Sequence, residues 1–295
     1  MKCADLHIHS TFSDGNLTPE QILEEAKQKG LKYISITDHD SIDSQYITKE
    51  LHCDIDIISG IELSTEINEF EIHILGYFIN IEDERLINTV SILKRARINR
   101  VKNIINKLKE EGIYLSFEDI VSGNSSVGRA HIANAIVKKG YEDNFKIAFS
   151  KYLIKGKKAY EKGEKLSYKE ALKVIEDCNG IAVLAHPGKI YKSMEVEGII
   201  KELKCYGLKG LEVYHPSHTK EQINLFYNLS KKYKLLITGG SDFHYEGNRD
   251  IFIGSQGINE KLVNKLLVYN KKFGRNKKGR KKWNYLKKQK TYHHQ

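Results

Sequence analysis

Cysteine is scarce and scattered in this sequence. Its four cysteines, Cys3, Cys53, Cys178 and Cys205, lie far apart and form no C-x-x-C pair. That spacing argues against a cysteine-based zinc site and predicts reduced, mostly packed thiols of the cytosolic kind. Long apolar runs are missing too: none could span a bilayer, and Lys2, Asp5, His7 and His9 interrupt any apolar leader. A cytoplasmic protein with no membrane segment is therefore expected. Acidic residues are absent from one stretch. From Lys271 to Gln295 there are eleven Lys and Arg and no Asp or Glu, so the net charge of +10 resides in that tail. Residues 1–270 hold 37 bases against 38 acids, a net charge of −1. Most like-charge runs are simply solvated chain ends. The alternative is a contact to nucleic acid, with Trp283 and Tyr285 available to stack on bases. Repeats are absent, and the tail is the only low-complexity stretch.

What is present is a soluble globular composition, 40% apolar and 9% aromatic over 295 residues. That length suits one barrel-sized domain with an insertion. Strand-like segments recur: "KCADLHIHS", "YISITDHD", "IDIISGIELSTE" and "FEIHILGYF" early, then "GIAVLAHPG", "LKGLEVYHP" and "KLLITGGSDFH". Helical patterns separate several of them. The first begins at Thr18-Pro19-Glu20, with Thr18 as N-cap, Ile22, Leu23 and Ala26 at helical spacing, and Gly30 as its stop. Buried strands separated by helices predict largely parallel pairing and a barrel-like β/α architecture at residues 1–82 and 166–270. Residues 83–165 differ, being highly charged and helical in pattern, and read as a helical insertion capping the barrel mouth. Residues 271–295 form the basic C-terminal tail.

Ionisable residues gather at the strand ends. His7 and His9, two apart on a strand, point to one face and can reach one ion. His39 ends the second strand in "TDHD", Glu62 follows the third in "GIE", and His73 lies in the fourth. His186 in "AHP", His215 in "YHP", and Asp242 and His244 in "SDFH" end later ones. In β/α barrels such ends converge on one rim. Imidazoles with carboxylates and no thiolate suit Mn²⁺, Zn²⁺ or Fe²⁺. With so many donors, two or three ions are expected, with Glu62 placed to bridge. Clustered divalent ions suit phosphoester hydrolysis.

The run "DLHIHSTFSDG", "ITDHDSI", "GIELSTE", "HILGYF", "AHPG", "EVYH" and "SDFH" resembles the PHP (polymerase and histidinol phosphatase) family, in its TrpH-like branch of stand-alone phosphoesterases. Similarity continues through "GRAHIANAIVKKGY" and "FSKYLIKGKKAY" and spans roughly residues 2–255. The resemblance implies a distorted seven-stranded β/α barrel with three metal ions. His7, His9, Glu62 and Asp242 would hold one ion. Glu62, His73 and His186 would hold a second, and Asp14, His39 and His244 a third. It also implies removal of the 3′-phosphate from nucleoside 3′,5′-bisphosphates and 5′→3′ trimming of short 5′-phosphorylated RNA. Arg129 and His131 would contact substrate phosphates from the insertion, or else cap the helix starting there. His215 and His218 would bind phosphate or donate a proton to the leaving oxygen. Asp40 would orient a ligand or sit in a surface turn, and Asp5 would hydrogen-bond within the barrel. Two alternatives remain open: a histidinol-phosphate-type monoesterase, and an RNA-binding module with structural metals.

Overall fold

The computed structural model describes residues 2–51, 54–67, 70–121, 126–190, 196–245 and 250–274. Strand β1 (Ala4–Ile8) is buried throughout. Helix α1 (Pro19–Gln28) begins at the expected cap: the Thr18 hydroxyl accepts from the Gln21 backbone, and the Gln21 side chain accepts from the Thr18 N–H. It buries Ile22, Leu23 and Ala26 against β1 and β2 (Tyr33–Ile36). After α2 (Asp43–Glu50), the segment expected as one third strand divides into β3 (Asp56–Ile57) and β4 (Gly60–Ile67). The backbone crosses β2 closely at the break, since a Cβ at Gly60 would lie 2.2 Å from Ser35 Oγ. Glu62 consequently sits inside β4 rather than after a strand. β5 (Phe70–Tyr77) follows two residues later.

Between residues 84 and 165 no strand occurs among the described residues. Helix α3 (Glu84–Glu110) starts at Asp83, whose carboxylate accepts from the N–H groups of Arg85 and Leu86. Helix α4 (Arg129–Lys138) and α5 (Phe145–Ala148), the latter continuing as a π-helical turn over Phe149–Leu153, pack on α3. They share a cluster that includes Val101, Ile104, Leu108, Ile132, Ile136 and Leu153. The chain then alternates again: β6 (Leu166–Ser167), α6 (Tyr168–Asp177), β7 (Ile181–Leu184), α7 (Val196–Cys205), β8 (Gly210–Tyr214), α8 (Lys220–Lys232), β9 (Leu236–Gly239) and α9 (Glu260–Gly274). The basic run begins inside α9, and residues 275–295, with Trp283 and Tyr285, lie outside the described residues, as does Cys53. No helix among the described residues is long and apolar enough to cross a membrane.

The fold is mixed α/β, with two sheets of order β1-β2-β3 and β6-β4-β5-β7-β8-β9. Pairing is parallel except that β5 opposes both β4 and β7. Two intervening residues allow only a hairpin return, whereas a parallel return needs a crossover. Backbone bonds link the sheets at two seams. Asp242 N–H donates to His7 O at 2.8 Å and His9 N–H to Phe243 O at 2.9 Å. At the other seam Asp40 N–H donates to Glu62 O at 2.9 Å, and Glu62 N–H to Asp38 O at 3.2 Å. The first seam requires glycine at 240, where a Cβ would lie 2.4 Å from His7 N.

Asp5 secures that seam from within the core. Its carboxylate is fully buried and accepts from Ser241 N–H at 2.9 Å and Gly254 N–H at 2.8 Å. Removing it takes the acceptor from these two N–H groups and from the His7 N–H, 3.3 Å away. Asp5→Ala is expected to lower unfolding free energy by about 3 kcal/mol, and Asp5→Asn by less, in urea denaturation of the full chain.

Candidate metal centre

The strand ends bring together side chains far apart in sequence, and their atoms converge around Glu62. Its carboxylate is fully buried. Oε2 lies 3.3 Å from His7 Nε2, 3.2 Å from His9 Nε2 and 3.1 Å from His39 Nδ1. Oε1 lies 3.0 Å from both His73 Nδ1 and His186 Nε2. Burial alone would push the Glu62 pKa up, but His39, His7 and His73 outweigh it and hold the group well below the usual carboxylate range.

Three overlapping donor groups result: His7, His9, Glu62 and Asp242; His9, Asp14, His39 and His244; and His39, Glu62 and His73. The first fits a divalent ion in shape. His7 Nε2, His9 Nε2, Glu62 Oε2 and Asp242 Oδ1 are separated by 3.1–3.3 Å in the five pairs that link an imidazole to another donor. A regular tetrahedron with edges of about 3.2 Å has its centre about 2.0 Å from each corner, the usual distance from zinc-like ions to N and O ligands. Some atoms of the three groups are also unengaged. Glu62 Oε2, His39 Nδ1 and Asp14 Oδ1 are buried with no hydrogen-bond partner. A polar atom left so costs stability unless a bound cation satisfies it. In the second group Asp14 Oδ1 lies 3.4 Å from His244 Nε2 and 3.7 Å from His9 Nδ1, and Asp14 Oδ2 lies 3.9 Å from His39 Nε2. His9 therefore faces two groups, and His39 reaches both Asp14 and Glu62. His186 approaches only the Oε1 side, and burial holds its imidazole down to about 4, so it is neutral and ligand-ready at pH 7.

Several backbone conformations at the rim are strained. Asp40 and Asp242 have φ of 51° and His186 has φ of 24°. Such values in non-glycine residues cost energy and concentrate at functional sites.

Other residues hold the donors in place. Glu212, which "EVYH" contained but which the sequence reading did not single out, is fully buried. It accepts from His7 Nδ1–H at 2.9 Å and from His186 N–H at 2.7 Å. That fixes the proton of His7 on Nδ1 and turns the Nε2 lone pair toward the cluster. A charged residue between Leu211 and Val213 in an apolar strand was the available signal. Asp38 accepts from Ser10 N–H, Ser10 Oγ and Ser13 Oγ at 2.6–2.8 Å, anchoring the loop that carries Asp14. Asp40 does not lie in a surface turn: it is buried, accepts from Ser64 N–H at 2.9 Å and is clamped by Arg97. Asp242 Oδ2 meets His215 Nε2 at 3.1 Å and Lys189 Nζ at 2.5 Å. His218 donates from Nδ1 to Val213 O at 2.9 Å and accepts the Gly188 N–H on Nε2 at 3.1 Å, so both ring nitrogens pin backbone. His131 accepts the Gly128 N–H at the start of α4.

Arg129 faces a pocket of about 200 Å³ beside the cluster. Asp14, His39 and His73 line it together with Arg97, Arg100, Arg129 and Lys165. Burial, with Arg129 and Arg97 nearby, brings Arg100 down to about 10, which leaves it charged. Glu71 balances part of this charge, lying 2.8 Å from Lys165 and 3.9 Å from Arg129. Nothing in the local sequence around Arg97 or Lys165 announced this convergence.

The pairing of Glu212 with His7 has a pH signature. Burial pushes Glu212 up, but the His7 charge and hydrogen bond prevail and bring it to about 2, below its usual 4.5. A depressed carboxylate stabilises the fold fully above 4.5 and loses that contribution as pH falls toward 2. His7 is raised, so its share is complete below 6.5 and fades only as pH rises through the raised value. In EDTA, the thermal midpoint of the metal-free chain is expected to fall between pH 4.5 and 2, and to fall less steeply in Glu212→Gln.

Residues 5–267 match the PHP domain family. Over 247 residues the chain is 32% identical to a 5′-3′ exoribonuclease of Haemophilus influenzae, covering 82% of this chain and 89% of that one. Over 255 residues it is 28% identical to a 3′,5′-nucleoside bisphosphate phosphatase of Chromobacterium violaceum, covering 84% and 90%. The solved structure of an amidohydrolase from Chromobacterium violaceum, with bound sulfate and no metal, superposes with a TM-score of 0.82 at 25% identity over 91% of this chain and 96% of that one. With the match running through β1 to α9 and embracing every donor gathered around Glu62, the chain belongs to the PHP domain family.

Proposed function

We propose that this protein is a metal-dependent phosphoesterase that removes the 3′-phosphate of nucleoside 3′,5′-bisphosphates and trims short 5′-phosphorylated RNA in the 5′→3′ direction. One observation carries the reading: Asp14, His39 and His73 of the imidazole–carboxylate cluster line the same pocket as Arg97, Arg100, Arg129 and Lys165. Relatives named for exactly these two substrate classes support it.

The proposed ligands are His7, His9, Asp14, His39, Glu62, His73, His186, Asp242 and His244, holding three divalent ions. Mn²⁺, Zn²⁺ and Fe²⁺ all suit a set of nitrogen and oxygen donors without thiolate, and Mn²⁺ is the ion proposed. Bound there, such ions supply Lewis-acid polarisation of a phosphoryl group and activation of water. The protein's own groups do the rest. Arg129, Arg100 and Lys165 bind the substrate's second phosphate and orient it, Arg129 offering the planar fork suited to phosphate. Glu212 and Asp38 hold His7 and the Asp14 loop against rotation. Lys189 and His215, both on Asp242 Oδ2, are the groups proposed to offset or protonate charge on a leaving oxygen. His131 and His218 act through the backbone they hold.

In the same reading the two sheets work as one distorted barrel of β1, β2, β4, β5, β7, β8 and β9, supported by the backbone bonds at both seams. Residues 83–165 form a cap, supported by their separate apolar cluster and by Arg97 and Arg129 extending from it to the pocket. A cytoplasmic setting is supported by free Cys3, Cys178 and Cys205.

With Mn²⁺, the purified chain is expected to release inorganic phosphate from adenosine 3′,5′-bisphosphate faster than from histidinol phosphate, and EDTA to abolish release. His39→Ala should lower kcat at least about tenfold, and Arg129→Ala should raise KM about tenfold. Unaltered kcat in His39→Ala would remove the His39 group of donors from the mechanism.

A further inference from the structure

One carboxylate in the pocket opposes the task given to its cations. Glu71, near the start of β5, lines the pocket together with Arg97, Arg100, Arg129 and Lys165. Its Oε2 lies 2.8 Å from Lys165 Nζ and 3.9 Å from an Arg129 guanidinium nitrogen, and its Oε1 lies 3.3 Å from His73 Nε2. The other acids of the pocket are engaged elsewhere or stand apart. Asp40 is clamped by Arg97, and Asp14 lies 3.4 Å from His244. Glu164 also lines the pocket and forms no ion pair with these four cations.

The cations crowd one another. Burial, with Arg129 and Arg100 nearby, brings the Lys165 ammonium below its ordinary value, and Glu71 opposes that shift. Arg129 and Arg97 act on Arg100 in the same sense, and Glu71 again opposes them. Since Arg97 already has Asp40, Glu71 is the carboxylate left to offset Lys165, Arg129 and Arg100. An entering phosphate would seek the same donors, because an oxygen held by an ammonium and a guanidinium is how phosphate is bound. Two anions on one set of cations repel each other. Glu71 is also the partner able to give way: its side chain is 43% exposed, against 15% for Lys165. A partly exposed ion pair is weak enough to be exchanged for another.

Resting on the phosphoesterase reading, which seats the substrate's second phosphate on Arg129, Arg100 and Lys165, we propose that Glu71 is an internal competitor for that seat. Its carboxylate holds the place of a phosphate oxygen and leaves Lys165 when the phosphate enters. The competition lowers the pocket's affinity for anions. Substrate is held less tightly, and the product that keeps this phosphate departs more readily.

The test uses inorganic phosphate and the full-length protein in EDTA, with binding read by calorimetry at one neutral pH and low salt. Glu71→Gln removes the charge and keeps an oxygen acceptor for His73. It should bind phosphate about fivefold more tightly than the parent, and Lys165→Met added to Glu71→Gln should remove the gain. With Mn²⁺, Glu71→Gln should lower the KM for adenosine 3′,5′-bisphosphate about fivefold without raising kcat. Phosphate affinity in Glu71→Gln equal to or below that of the parent overturns the proposal, because a residue that only arranges the cations would weaken binding once neutralised. A gain that survives Lys165→Met overturns it as well, since the anion would then sit elsewhere, and so does a KM that stays level or rises. If the parent releases no phosphate from the bisphosphate yet the Lys165-dependent gain persists, the phosphoesterase reading falls and the competition by Glu71 stands.

Discussion

A carboxylate with no access to water cannot keep its charge unless positive charge or hydrogen-bond donors surround it, and Glu62 is such a group. Five imidazole nitrogens lie within 3.3 Å of its two oxygens. They come from β1 and the residue after it, from the turn after β2, from β5 and from the turn after β7. Satisfying that one group forces both sheets to present their ends to a common point. The hydrogen bonds between His7 and Asp242 and between Asp40 and Glu62 are the backbone side of the same arrangement. Glycine at 240 and positive φ at Asp40, His186 and Asp242 are the local concessions it demands.

Around this centre the electrostatics divide by segment. The strand ends supply the imidazole and carboxylate donors, and the helical segment supplies cations that line the same pocket. Arg97 joins the two: its Nε donates to Asp40 Oδ2 at 2.8 Å, and its other nitrogens reach Ser64 Oγ at 3.0 Å and Val127 O at 3.4 Å. Movement of α3 would therefore be felt at the turn that carries His39. A dianionic group entering the pocket would meet guanidinium groups beside the donor cluster. Phosphoryl transfer consists largely of such positioning and charge neutralisation.

The sequence made the donors legible because metal chemistry is written in residue type. His-x-His on a strand, and acids and histidines at strand ends, keep their meaning whatever the packing. Helix α1 was equally legible, since Thr18, Pro19 and Gln21 settle their own start through contacts three residues apart. The third strand was not. Its division at Gly60 depends on how closely the chain crosses β2, which no local pattern records.

By itself, then, the sequence determined the β/α rhythm, the helical character of residues 83–165, the segregation of charge into the tail and the supply of imidazole and carboxylate donors. Tertiary structure alone decided which atoms share a point: that His9 faces two donor groups, that His39 reaches both Asp14 and Glu62, that Glu212 orients His7, and that Arg97 and Lys165 turn toward the pocket. The reason is distance along the chain. Glu212 and His7 are 205 residues apart and Arg97 and Asp40 are 57 apart, so their meeting is fixed by sheet order and helix packing. Local propensity acts over a few residues and carries no information about such encounters.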